Sequence, residues 1–105
     1  MPEKYHIILS LTSASQLEDI FDSIARDSPQ NAKLMIDRIL TAIAGLEMFP
    51  NRYVLTDPNN LFDSPVRFLT VSPYLIFFRV RESNLSVRVL QFRHGARRRP
   101  KRFDE

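Results

Sequence analysis

The strongest constraint on the fold lies in Tyr74-Leu75-Ile76-Phe77-Phe78-Arg79-Val80-Arg81 and Val87-Arg88-Val89-Leu90-Gln91-Phe92-Arg93, which flank a short polar break at Glu82-Ser83-Asn84. Two runs rich in β-branched and aromatic residues around such a break predict a β-hairpin, with strands over about 74–82 and 85–93. If Ser83 and Asn84 form a two-residue turn, Phe78 faces Val89 and Val80 faces Val87, with Ile76 on the same side. A four-residue turn keeps these pairs, whereas a three-residue turn flips one strand. The other face sets Phe77 against Leu90, Leu75 against Phe92 and Arg79 against Arg88, with Arg81 beyond. The first face suits a core. The second is half apolar and half arginine, and in so small a chain it is expected to stay uncovered as a partner site.

The remaining elements follow from periodicity. A strand over about 65–71 precedes the hairpin, with a turn at Ser72-Pro73. Residues 51–64 have no sustained period and carry turn formers at Asp57-Pro58-Asn59-Asn60, so they predict a loop, weakly ordered around Leu61 and Phe62. Near the N-terminus, Ile7-Ile8-Leu9 reads as a strand too apolar for a surface edge. Ser13 and Gln16 have the spacing of a capping box, and Ala14, Leu17, Ile20, Phe21 and Ile24 predict a helix over about 14–26. Ser28-Pro29 caps and opens a second helix, whose stripe is Ala32, Met35, Ile36, Ile39, Ile43 and Leu46; Phe49-Pro50 ends it. The result is an α+β chain of order β-α-α-β-β-β, an antiparallel helical hairpin on one face of a small, mainly antiparallel sheet.

A chain of 105 residues has room for one domain, read here as 1–105 with a basic C-terminal tail over about 96–105. Without cysteine it has no disulfide framework or thiolate metal site, and two histidines make no metal cage, so neither metal nor organic cofactor is expected. No run of about 18 apolar residues suggests a membrane span. The N-terminal apolar run is too short for a secretory signal, and a soluble cytoplasmic domain is expected. Charge is uneven. Residues 1–92 nearly balance, with nine Lys or Arg against ten Asp or Glu, while Arg93, Arg97, Arg98, Arg99, Lys101 and Arg102 crowd into one segment. Such a block contacts an acidic partner or stays solvated.

Taken together, the element order, Arg67 ahead of the hairpin, Tyr74-Leu75-Ile76-Phe77-Phe78-Arg79 and the closing His94-Gly95-Ala96-Arg97 resemble the RelE/ParE superfamily of type II toxins, with the ParE branch the closest. The N-terminal half is also similar, with Leu9-Ser10, Ala14, Ser28-Pro29, Ala32 and Leu46 through Pro50 in the family's places. The resemblance implies a toxin neutralised by a cognate antitoxin, with operator DNA reached only through the antitoxin complex. ParE-like members poison DNA gyrase; RelE-like members cut mRNA on the ribosome. A binding module of the same fold without toxicity is a further alternative.

RNA cleavage by 2′-OH attack needs a base, an acid and cations around the phosphate. Arginine holds its proton too tightly to act as the base. The lysines that RelE-like chains carry near Arg67 are replaced by Val66, Phe68 and Leu69, and the late aromatic is Phe103, without a hydroxyl. A nuclease would therefore rest on His94, Arg67, Arg97 and Tyr74, and the incomplete set favours a non-catalytic inhibitor. The ordinary role of His94 is an imidazole bonded to backbone, and that of Tyr74 a sheet-edge aromatic. The antitoxin-binding set is Leu75, Phe77, Arg79, Arg81, Arg88, Leu90 and Phe92. Target contacts fall to Arg93, Arg97, Arg98 and Arg99. Without a partner the strip is expected to pair with itself, giving a homo-oligomer.

Overall fold

The computed structural model describes residues 4–56 and 65–95. The Asp57–Asn60 turn, Leu61 and Phe62, and the tail with Arg97, Arg98 and Arg99 lie outside the described residues. The elements are β1 (His6–Leu9), α1 (Leu11–Ala25), α2 (Pro29–Ala44), β2 (Val54–Leu55), β3 (Arg67–Val71), β4 (Tyr74–Arg81) and β5 (Ser86–His94), with 3₁₀ turns at Gly45–Glu47 and Pro50–Arg52. The sheet order is β1-β5-β4-β3-β2. Every pairing is antiparallel except β1 with β5, which is parallel. This is the α+β layout of the sequence reading, with the short β2 added where only a loop was predicted. Two residues give no periodicity to read; β2 exists because Val54 and Leu55 meet Phe68 and Arg67.

Helix α1 begins a turn earlier than its apolar period. Ser10, rather than Ser13, is the N-cap: its Oγ accepts from the Ser13 amide at 3.0 Å, and the Ser13 hydroxyl donates back to the Ser10 carbonyl. Leu11, 90 % exposed, opens the helix without adding to its stripe. Ser28 caps α2 as expected, accepting from Asn31, with Pro29 at the first helical position. Phe49 closes the helical region in the left-handed conformation (φ 53°) rather than the extended one that a following proline favours.

Both helices cover one face of the sheet. Ile39, Ile43, Leu46, Leu69, Val71, Ile76, Phe78, Val87, Val89 and Phe92 form the core, with Leu17, Ile20, Met35, Ile36 and Val80 packed around it. Two expectations fail here. Phe21 is 39 % exposed, lining an open hollow with Leu9, Leu17 and Ile36 beside the edge strand. Strand β1 is an edge after all, with Ile8 at 42 % and Leu9 at 37 % exposure.

The hairpin follows the predicted register near its turn. Glu82–Leu85 is a four-residue connection, Leu85 adopts φ 49°, and Val80 faces Val87, Arg79 faces Arg88 and Phe78 faces Val89. Beyond that point a β-bulge intervenes. Phe77 pairs with Gln91 rather than Leu90, Ile76 with Phe92, and Leu75 with Arg93 rather than Phe92. One extra residue on β5 moves every later side chain. Phe92 therefore belongs to the core under the helices and not to the opposite face.

Helix α1 supplies the partners that the bulge needs. The Ser10 hydroxyl donates to the Leu90 carbonyl at 2.9 Å, and the Gln16 side-chain oxygen accepts from the Phe92 amide at 2.7 Å. Replacing Gln16 by leucine strands the Phe92 N–H, and a loss of about 1–3 kcal/mol is expected in urea unfolding.

Candidate functional site

The face of the sheet turned away from the helices carries two adjoining zones. In the first, Phe77, Leu90 and Val66 are fully or almost fully buried, with Phe68 and Leu75 packed against them. The Phe68 and Phe77 rings lie 6.0 Å apart at 42°. The expectation of an uncovered apolar strip is thereby corrected. A side chain with no exposed surface offers nothing to a partner, so Phe77 and Leu90 hold the sheet together.

The second zone is cationic. Arg79 and Arg88 stand directly opposite each other, Arg81 lies across from Ser86, and Arg93 across from Leu75. Arg79 is 9 % exposed, Arg88 and Arg93 are half-buried, and Arg81 is exposed. Among the described residues, the Nε–H groups of Arg88 and Arg93 are buried and meet no acceptor. Like charges opposed across strands repel, and a buried donor left unmet is costly. Carboxylate or phosphate oxygens are the acceptors that such guanidinium groups bind most strongly.

The proposed nuclease residues fall on the helix side. Tyr74 and His94 are cross-strand partners, with rings 5.7 Å apart edge to face. They border a cleft of about 390 Å³ together with Phe92 and Arg93 and with Gln16, Asp19 and Ser23 of α1. The α1 residues escaped sequence reading because only the bulge brings them to this corner. Gly95 turns the chain here: its N–H donates to the Pro73 carbonyl, and a Cβ would approach that oxygen to 3.1 Å. Arg67 is elsewhere. It pairs with Phe78, and its Nη1 donates to the Tyr53 carbonyl at 2.7 Å, pinning β2 to β3. Four residues along β4 separate its row from Tyr74, about 13 Å at strand rise. Arg97 lies outside the described residues.

A polar cluster at the far end of the hairpin is structural. The Tyr5 hydroxyl and the Asn51 amide each donate to Glu82 at 2.7 Å, joining β1, the Pro50–Arg52 turn and the hairpin. These two bonds, Tyr5's first, hold the Glu82 carboxyl below its usual range. Among the described residues, no three of His, Cys, Asp and Glu gather as a metal site, and no helix is long and apolar enough to cross a membrane.

The fold, a two-helix hairpin over a five-stranded mixed sheet, is shared with chains of solved toxin–antitoxin structures. A chromosomal ParDE toxin–antitoxin structure from P. aeruginosa matches with a TM-score of 0.68 at 20 % identity, over 87 % of this chain and 96 % of that one. An archaeal RelE–RelB complex from Pyrococcus horikoshii matches with 0.66 at 13 %, over 90 % and 99 %. A RelBE-type toxin–antitoxin complex from Mycobacterium tuberculosis matches with 0.60 at 16 %, over 90 % and 95 %. At these identities the likeness is one of fold. No curated protein sequence matches the chain. The family model of the ParE toxin of the type II toxin–antitoxin system parDE matches residues 7–99, and the chain belongs to that family.

Proposed function

We propose that this chain poisons DNA gyrase without cutting nucleic acid itself and is neutralised by a cognate antitoxin, operator DNA being contacted only through the antitoxin complex. One observation carries the choice of target within a ParE-family chain: the groups that RNA cleavage would require do not converge. Tyr74 and His94 sit at one end of the hairpin, Arg67 is spent on a backbone carbonyl about 13 Å along the strand, and Arg79, Arg81 and Arg88 stand on the opposite sheet face. Among the described residues, Arg93 is the one arginine lining the cleft beside His94, and Arg67, the other cation a nuclease would draw on, stands too far along the strand to join it at a scissile phosphate. Gyrase inhibition asks only for surface fit, which Arg93 and the basic segment holding Arg97, Arg98 and Arg99 would supply.

The antitoxin is assigned to the arginine row. Arg81, Arg88 and Arg93 are the accessible members, and Leu75 is half-buried beside them. Carboxylates of an acidic segment would meet the Arg88 and Arg93 donors, while Phe77, Leu90 and Phe92 support the row from within.

Expression without any partner tests the target. Gyrase–DNA adducts and a DNA-damage response are expected, unchanged by His94→Ala, with no ribosome-dependent mRNA cleavage. Cleavage in translating ribosomes that His94→Ala abolishes would restore the RelE-like reading. Absence of growth arrest would leave a binding module of the same fold.

A further inference from the structure

The sheet ends in an edge that the proposed target and antitoxin contacts do not use. In its parallel ladder with β5, β1 spends the backbone groups of alternate residues: the His6 N–H donates to Leu85 and the Ser10 N–H to Val89. Those of Ile7 and Leu9 therefore point outward, and no backbone group among the described residues meets them. Tyr5 is closed off, because its N–H donates to the Glu47 carbonyl at 2.9 Å. The open stretch is thus short, running from Ile7 to Leu9. Its surroundings are apolar: Ile8, Leu9, Leu11 and Phe21 are all among the exposed large hydrophobic residues. Native edges are usually blunted by a proline, an inward charge or a lysine, and β1 has none of these.

We propose that a second copy of this chain takes this edge in the absence of other partners, forming a two-fold antiparallel β1–β1 seam centred on Ile8. The open groups fix the register. With only Ile7 and Leu9 offering donors and acceptors, the two-fold pairing that uses all of them sets Ile7 against Leu9 of the partner copy. Each such pair exchanges two hydrogen bonds, and Ile8 meets its own image in the close, non-hydrogen-bonded position. Charges do not oppose this. Lys4 falls across from Thr12 and His6 across from Ser10, so no like pair is apposed. The arginine rows of both copies lie on one side of the joined sheet. The two Arg88 strands are three strand spacings apart, about 14 Å, beyond the screening length of about 8 Å at physiological salt.

The seam is small. Its four apolar side chains cannot approach the roughly 800 Å² per partner of a standard stable interface, so association is reversible and concentration-dependent. Sedimentation equilibrium of the isolated full chain should show mass moving from monomer to dimer as concentration rises. Ile8→Lys, which sets two ammonium groups face to face, should raise the dissociation constant at least tenfold. In the unaltered chain, amide exchange at Ile7 and Leu9 should slow as the dimer forms, a readout that stands even if the lysine variant misfolds. A chain that stays monomeric overturns the proposal, as does a dimer whose Ile7 and Leu9 amides exchange at the monomer rate. Protection of those amides only in an antitoxin complex would assign the edge to the antitoxin instead.

Discussion

Phe77→Ala is expected to lose about 3–5 kcal/mol of folding stability, as much as deletion of a ring from beneath the helices. Phe77 lies on the sheet face opposite α1 and α2, where truncation would ordinarily remove a half-exposed side chain. Here the ring has no accessible surface, being enclosed with Val66 and Leu90 and flanked by Phe68 and Leu75. Removing it forfeits the transfer energy of the ring and leaves a cavity that a pleated sheet cannot easily close. Chemical unfolding of the purified variant measures the loss. The contrast is Phe21→Ala: that ring is on the helix side but 39 % exposed, and its loss should be clearly smaller. Equal losses would mean that the second cluster is not a true core.

The difference between these two phenylalanines is also the limit of what the sequence discloses. Helix stripes and strand alternation locate Ile39, Ile43, Phe78, Val87 and Val89 correctly, because each lies on a regular element at constant phase. Phe21 has helical phase as well, yet phase says only which way a residue points, and Phe21 lies beside the edge strand β1, where the hollow it shares with Leu9 and Ile36 stays open. Near the turn, the hairpin register follows from loop length alone. It fails where β5 holds one residue more than β4. The trace of that bulge is Val89-Leu90, two apolar residues in succession where strict alternation calls for one. Whether such a doublet marks a bulge or a two-sided buried strand depends on what lies above it, in this case Ser10 and Gln16 of a distant segment. The candidate site inherits the uncertainty. The pairing of Arg79 with Arg88 lies before the bulge and is legible; the places of Phe92, Arg93 and His94 lie after it and are not.

Arg88→Glu separates the roles of the arginine row by the sign of two effects. In the isolated chain the substitution puts a carboxylate opposite Arg79, replacing a like-charge cross-strand pair with an opposite one, so stability should hold or rise slightly. Antitoxin affinity should fall by about 2–5 kcal/mol, the range for removing one partner of a desolvated, hydrogen-bonded charge pair. A merely structural arginine would lose stability and affinity together. The half-buried setting of Arg88 predicts that most of the change appears as faster dissociation, whereas the exposed Arg81 should act mainly on the association rate and its salt dependence. Titration calorimetry and stopped-flow binding on the purified pair read both quantities. Truncation after Gly95 provides the comparison, removing five cations at once but none from the sheet. If the truncation weakens binding more than Arg88→Glu does, the antitoxin docks on the basic segment and the arginine row serves another acidic partner.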